Sequence, residues 1–229
     1  MAVTESISRL INYYERHGFG ATLQRSRVFL RRLFLSRRFV VYYFDLSKNA
    51  KASLLQDWPE HLTVARVSGQ EEIEGKDWKK IVNFWNPELS RGNFSKRFRE
   101  GATTWLIRSH GQLAGYGWTL TGRSIQPHFV PFGPNDVHLF DFLVFPEFRG
   151  QRINPRLVSY ILNGLIAENR TRAYIEVAEW NQAQLASLSH TEFRRLGVAH
   201  KTLLRGRTVV VWGKSQESAV SGITHNTNP

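Results

Sequence analysis

Apolar positions along this chain follow two alternating periods. Ile7, Leu10, Ile11 and Tyr14 fall at i, i+3, i+4 and i+7, one face of a helix that Gly18 would stop. A second helix is expected over 21–35, where Leu23, Leu30 and Phe34 mix with Arg25, Arg27, Arg31 and Arg32. β-Branched and aromatic residues then crowd Phe39–Leu46, which predicts a strand, and 47–60 has loop character. From Leu62 onward the alternation is more regular. LTVARVS reads as a strand, and Trp78, Ile81, Val82 and Trp85 share one face of a helix over Lys76–Trp85. A looser helical stretch covers Phe94–Glu100, and TTWLIRS and QLAGYGWTLTG flank His110–Gly111 as a hairpin. The stretch Ser124–Asn135, with Pro127, Pro131 and Pro134, is expected to be a loop.

The remaining pattern is strand DVHLFDFLVF, turn PEFRGQRIN, helix Pro155–Asn169, strand RAYIEVAEW, helix Asn181–Leu196, and closing strands Val198–Leu204 and Arg207–Trp212. Leu157, Ile161 and Leu165 give the first of these helices an apolar stripe. Short strands alternating with helices of this length predict an α/β (α+β) domain, a mixed sheet with helices packed on it. The expected division is a helical and strand appendage over 1–60, the main domain over 61–213, and a polar, disordered tail over 214–229.

Composition narrows the chemistry. With 229 residues, 41% of them hydrophobic, the chain can bury a sizeable core. It has no cysteine, which excludes disulfides, thiolate metal sites and a cysteine nucleophile. No apolar run approaches the roughly 18–20 residues that span a bilayer. The opening MAVTESISRL lacks the pattern of a secretory signal, so a cytoplasmic protein is expected. Its formal charge of +12 suits nucleic acid, an acidic membrane surface or a multiply phosphorylated cofactor, or reflects a basic solvated surface. The arginines of 21–38 admit peripheral contact with an anionic membrane, although a solvated surface helix is the plainer reading.

The turn between Phe145 and Asn154 carries the most chemistry. Asn154 suits a helix N-cap and Pro155 the first helical position. A helix opening at the end of a strand leaves several main-chain N–H groups aimed at one point, where the helix dipole adds positive potential. Arg149, Gly150, Gln151 and Arg152 stand just before it: the glycine permits close approach, and the arginines pair with phosphate oxygens.

VFPEFRGQRIN resembles the cofactor motif of the GNAT N-acetyltransferase superfamily: a strand ending V-x-P, an aromatic, and an R/Q-x-x-G-x-G/A turn opening a helix. Val144, Pro146, Phe148 and Arg149 match it, and the order of elements from Leu62 to Trp212 resembles that fold, a mostly antiparallel central sheet flanked by helices. The resemblance implies an acetyl-CoA or other acyl-CoA donor. Its pantetheine would lie along Leu143 and Val144, and its pyrophosphate on Arg149, Gly150, Gln151, Arg152, Ile153 and Asn154. IEVAEWN resembles the family's strand end in which a Glu precedes a cofactor-side Asn by five positions, here Glu176 and Asn181. Two departures are visible. Arg152 and Asn154 replace small residues of the turn, and Phe193 stands where many members place a thiolate-protonating tyrosine. A phenyl ring donates no proton, which leaves water, His190 or Thr191 for that role.

Acyl transfer to an amine acceptor needs a proton acceptor. The resemblance puts Glu176 first. Asp141, between Phe140 and Phe142, is second: desolvation would raise its pKa, unless it simply pairs with an arginine. The eight histidines show no HxxxH or HxH spacing, so no metal site is expected. The leading reading is an acyl-CoA-dependent N-acyltransferase. The alternatives are a catalytically degenerate CoA-fold binding module, a basic nucleic-acid or membrane-surface adaptor, and transfer from aminoacyl-tRNA on the same fold. Nucleic acid is the less favoured partner, and the sequence leaves the oligomeric state and the acceptor open.

Overall fold

A computed structural model of the protein describes residues 38–49, 58–84, 86–124, 128–204 and 207–213. The two expected N-terminal helices and the polar tail lie outside the described residues. The strands are β1 (Arg38–Asp45), β2 (Leu62–Val67), β3 (Thr103–Ser109), β4 (Gln112–Thr121), β5 (Val137–Val144), β6 (Arg172–Ala178), β7 (Arg194–Leu204) and β8 (Arg207–Trp212). The helices are α1 (Gly75–Phe84), α2 (Pro87–Arg99), α3 (Ile153–Ala167) and α4 (Gln182–Leu188).

All eight strands join one sheet in the order β2-β3-β4-β5-β6-β1-β7-β8. Every neighbouring pair is antiparallel except β5 and β6. One face packs under α3 and α4: Val137 and Leu139 of β5 and Ala173, Ile175 and Val177 of β6 share a core with Leu157, Ile161, Leu165 and Leu188. Against the other face, Phe94 of α2 and Ile81 of α1 share a core with Trp118, Tyr116 and Leu120 of β4. Asp77 of α1 is buried yet paired with Arg108 of β3 at 2.6 Å, which ties α1 to the sheet without leaving an isolated buried charge.

Three elements differ from the sequence reading. The strand assigned to the 1–60 appendage is β1, and it sits inside the sheet, between β6 and β7. Its buried Val40, Val41 and Phe44 explain this: a strand covered on both faces carries an unalternated apolar run. A boundary at residue 60 therefore separates strands of one sheet. The helix expected over Asn181–Leu196 ends at Leu188, because Ser189 Oγ donates to Ala186 O (2.8 Å) and Thr191 Oγ1 to Leu188 O (2.7 Å), satisfying its last carbonyls. β7 consequently starts at Arg194. Finally, α2 begins at Pro87, seven residues earlier than the apolar pattern suggested, because Asn86 Oδ1 accepts from the Glu88 and Leu89 amides and caps it.

The feature that positions the site is where β5 and β6 part. Only Val137–Leu139 pairs with Ala173–Ile175, after which the two strands have no common rungs. Their closed end is fastened by Asp136, whose carboxylate accepts from Thr171 Oγ1 (2.7 Å) and the Gly133 amide (2.8 Å). The open end is a fork bounded by Phe140–Val144 and Glu176–Ala178.

Candidate active site

The β5 arm of the fork is bent by a bulge. The register with β4 slips between Tyr116 and Trp118, and Asp141 takes up the extra residue at φ 50°, a left-handed conformation that Asp tolerates better than most side chains. A Cβ on Gly115 of β4 would come within 2.5 Å of Leu143 O, so only glycine allows the strands to lie this close beside the bulge. Asp141 is exposed and paired with Arg97 of α2 at 2.5 Å, while the Arg97 guanidinium lies over the Trp118 and Phe140 rings. The expected desolvated base between two phenyl rings is therefore not what forms. The bulge turns Asp141 outward, and it serves as the partner of an arginine. Past the bulge the Phe145 amide donates to Ala114 O at 2.9 Å. By strand alternation the main-chain groups of Val144 point the other way, into the fork.

The turn that follows is held from below and open above. Lys80 of α1 donates to Leu113 O, pairs with Glu147, and lies over the Phe145 and Phe148 rings. Arg149 Nε donates to Val144 O (3.3 Å) and Gln151 Nε2 to Glu147 O (3.2 Å). Arg149 N–H is used by Pro146 O, and the next main-chain donor in use is Arg156 N–H, to Arg152 O. Between them the amides of Gly150, Gln151, Arg152, Ile153 and Asn154 make no hydrogen bond among the described residues, and Pro155 has none to offer. Gly150 (φ 79°) and Arg152 (φ 57°) are left-handed, a backbone that gathers successive N–H groups into a concave, anion-seeking surface. Arg149, Gly150, Gln151 and Arg152 are exposed around it.

The cap is Arg152 rather than Asn154. The helix starts at Ile153, which turns the Asn154 side chain inward: its Nδ2 donates to Ser187 Oγ at 2.7 Å, and its Oδ1 is buried without a partner. Asn154 and Ile153 thus reach the seat through their amides alone. Asn181 lies where the resemblance puts it, just past β6, with Oδ1 spent on the Gln184 amide as the cap of α4.

Across the fork, Glu176 marks the first rung at which β6 is free of β5. Its Oε2 is bonded at 2.8 Å by Nε2 of both His128 and His138. His128 Nδ1 accepts the Val130 amide at 3.3 Å, so that nitrogen carries no proton and Nε2–H is the donor to Glu176. Burial opposes the charge on Glu176, but the hydrogen bonds from His128 and His138 outweigh it and hold the carboxyl at about 2. With its side chain 21% exposed, Glu176 leaves Oε1 open while the two histidines are sealed. A carboxylate this acidic accepts a proton poorly near neutral pH and offers a fixed negative charge instead. Nothing in the sequence announced His128, which reaches Glu176 from a loop 48 residues away.

The same three residues form a grouping that could hold a metal ion. Their surroundings do not suit one. A histidine that ligates through Nε2 donates its Nδ1–H to an acceptor. Here His128 Nδ1 faces an amide donor, and His138 Nδ1 is buried with no partner. As for a proton donor to sulfur, Phe193 is buried against Phe44, Thr191 Oγ1 is spent on Leu188 O, and His190 is exposed.

A family model of the acetyltransferase (GNAT) family matches residues 67–193, more than half of the chain. The chain belongs to the GNAT acetyltransferase family. Solved structures similar to this GNAT protein include a functionally unknown conserved protein from Staphylococcus epidermidis (11% identity, TM-score 0.48, covering 75% of this chain and 64% of that one). A putative acetyltransferase of the family from Novosphingobium aromaticivorans has 13% identity and a TM-score of 0.46, with 71% and 61% covered. A family acetyltransferase from Colwellia psychrerythraea has 13% and 0.49, with 77% and 55% covered. The chain thus spans about half to two thirds of the length of these structures. No curated protein matches the chain.

Proposed function

We propose that this GNAT protein is an acyl-CoA-dependent N-acyltransferase, with acetyl-CoA the leading donor, acting on an amine acceptor in a cytoplasmic setting where such thioesters are made. The observation that carries this is the run of five unpartnered amides, Gly150–Asn154, at the open end of the fork. Main-chain donors grouped at a helix start suit the pyrophosphate of CoA, and Arg149 and Arg152 flank them to pair with its oxygens. Val144, whose main-chain groups point into the fork, offers a strand edge to the amides of pantetheine, while Leu143 beside it turns its main-chain groups to β4. The donor supplies an activated thioester carbonyl, and the protein supplies place and charge.

The fork lets two reactants meet through the sheet. The phosphate seat belongs to α3, on one face. Glu176 and His138 point to the opposite face, because Leu139 and Ile175 between them belong to the core under α3. An acceptor entering from that side meets Glu176 Oε1, an anion that orients an N–H and stabilises positive charge growing on the attacking nitrogen. As the C–N bond forms and the C–S bond breaks, one proton leaves nitrogen and one reaches sulfur. With no strong base and no side-chain acid at hand among the described residues, that proton travels from nitrogen to the thiolate by way of water.

Calorimetry tests the reading. Acetyl-CoA and desulfo-CoA should bind comparably, and Arg149→Glu should weaken both by about tenfold or more, the loss of a charge-assisted contact plus a repulsion. The absence of binding to the wild-type protein would refute it.

A further inference from the structure

The acceptor side of the fork carries a cation that the acyl transfer does not use. Lys201 of β7 stands on the same face of the sheet as Glu176: the rung Glu176–Val41–Gly197 crosses β6, β1 and β7, and Lys201 follows Gly197 at an even spacing. Phe39 pairs with both Ala178 and Ala199, so Lys201 lies beyond the C-terminal end of β6, where the fork opens. Four residues of strand place it about 13 Å further out than Gly197. Its Nζ rests 4.4 Å above the ring of Phe129, which itself packs on Phe39 at 5.3 Å and adjoins His128.

Lys201 has no carboxylate partner among the described residues. Glu179, just past the end of β6, is engaged by Arg38 at 2.8 Å. A half-buried ammonium without a contacting carboxylate is destabilised: burial lowers the Lys201 pKa, and the Glu176 charge opposes that only in part. Stacking on one phenyl ring is a modest return for that desolvation. The face therefore presents an open carboxylate oxygen inside and an unpaired ammonium at the rim, with Phe129 under the ammonium and Phe132 against His128 and His138.

We propose that Lys201 binds an anionic oxyacid group of the acceptor, so that the acceptor is a zwitterion whose amine enters first toward Glu176 and whose carboxylate or phosphate stays at the rim. This rests on the acyltransferase reading and names the substrate class for it. Charges of opposite sign at the two ends fix the direction in which such a molecule can enter.

The test is acetyl-CoA-dependent thiol release with ω-amino acids of increasing chain length, their methyl esters, and the matching aminoalkyl phosphates. At the best length the acid or the phosphate should exceed the ester by about tenfold or more in kcat/KM, and whichever anion wins identifies the oxyacid. Lys201→Met should bring acid and ester to within about twofold of each other by raising KM for the anionic acceptor, while Lys201→Arg keeps the preference. Unchanged thermal melting of both variants shows that they fold. Equal use of acid and ester by the wild type, an equal loss for both in Lys201→Met, or no turnover of any of these amines while acetyl-CoA binds would overturn the inference. Failure to bind acetyl-CoA would instead bring down the acyltransferase reading beneath it.

Discussion

Replacing Glu176 with glutamine keeps an oxygen that His128 and His138 can bond and removes only the charge. The folded protein holds this carboxyl at about 2 against an ordinary 4.5, and at about 1.4 kcal/mol for each tenfold change in proton affinity the ionised form stabilises the fold by about 3 kcal/mol. Because the folded pKa is depressed, that stabilisation is complete above pH 4.5 and is lost as pH falls toward 2. Wild type should therefore exceed Glu176→Gln by about 3 kcal/mol in urea unfolding at pH 7. At pH 3.5 the unfolded chain already binds most of a proton at this position and the folded one does not, so the gap should shrink by about 1.4 kcal/mol. Other carboxylates titrate alike in both proteins and cancel in the difference. A gap of the same size at both pH values would refute the assignment of Glu176 as a histidine-clamped anion.

Three further outcomes follow from the geometry. Asp141→Gly keeps the left-handed bulge and loses an exposed ion pair, so it should cost under about 1 kcal/mol, whereas Asp141→Val should cost about 1–2 kcal/mol more in urea unfolding; a valine variant as stable as the glycine one would mean that φ is not the constraint. Since Glu176 remains ionised down to about pH 2, the acid limb of kcat/KM should follow the acceptor's own amine. An acceptor whose amine is about one pKa unit more acidic should move that limb by about as much, and a limb fixed regardless of acceptor would restore an enzymic base. Zn2+ should leave the thermal midpoint unchanged, because the Nδ1 atoms of His128 and His138 have no acceptors to orient them as ligands; a rise that His138→Phe abolishes would contradict this.

What was legible in the sequence is what is written in local period. β3, β4, α3 and β8 lie close to where alternation, helical stripes and turn residues put them, and the turn at Arg149–Asn154 has the unpaired amides its strand-to-helix context required. What failed depended on the sheet. The period of FVVYYFDL identifies a strand and says nothing of which strands it lies between. HLFDFLV reads as a carboxylate among rings until the register with β4 slips, at which point Asp141 leaves the ring face and becomes a surface partner of Arg97. The Glu176 site was half visible: the resemblance marked the glutamate, but its chemistry is set by His128 and His138, which a loop and a neighbouring strand bring to one oxygen.

That convergence bears on the loss of tyrosine at position 193. A site with a near-neutral base would drive deprotonation of the amine and would need an acid to finish the exchange at sulfur. Here the two histidines make Glu176 too acidic to keep a proton, and Phe193, packed on Phe44, cannot supply one. On the proposed route, the acidity of Glu176 and the missing hydroxyl at Phe193 compensate. A carboxylate that never retains the proton leaves it free to pass to the departing thiolate, itself basic enough near neutral pH to take it. Restoring a hydroxyl with Phe193→Tyr should therefore bring little rate, since the ring is buried in the core under α3 and packed on Phe44, and a hydroxyl added to it would be buried too.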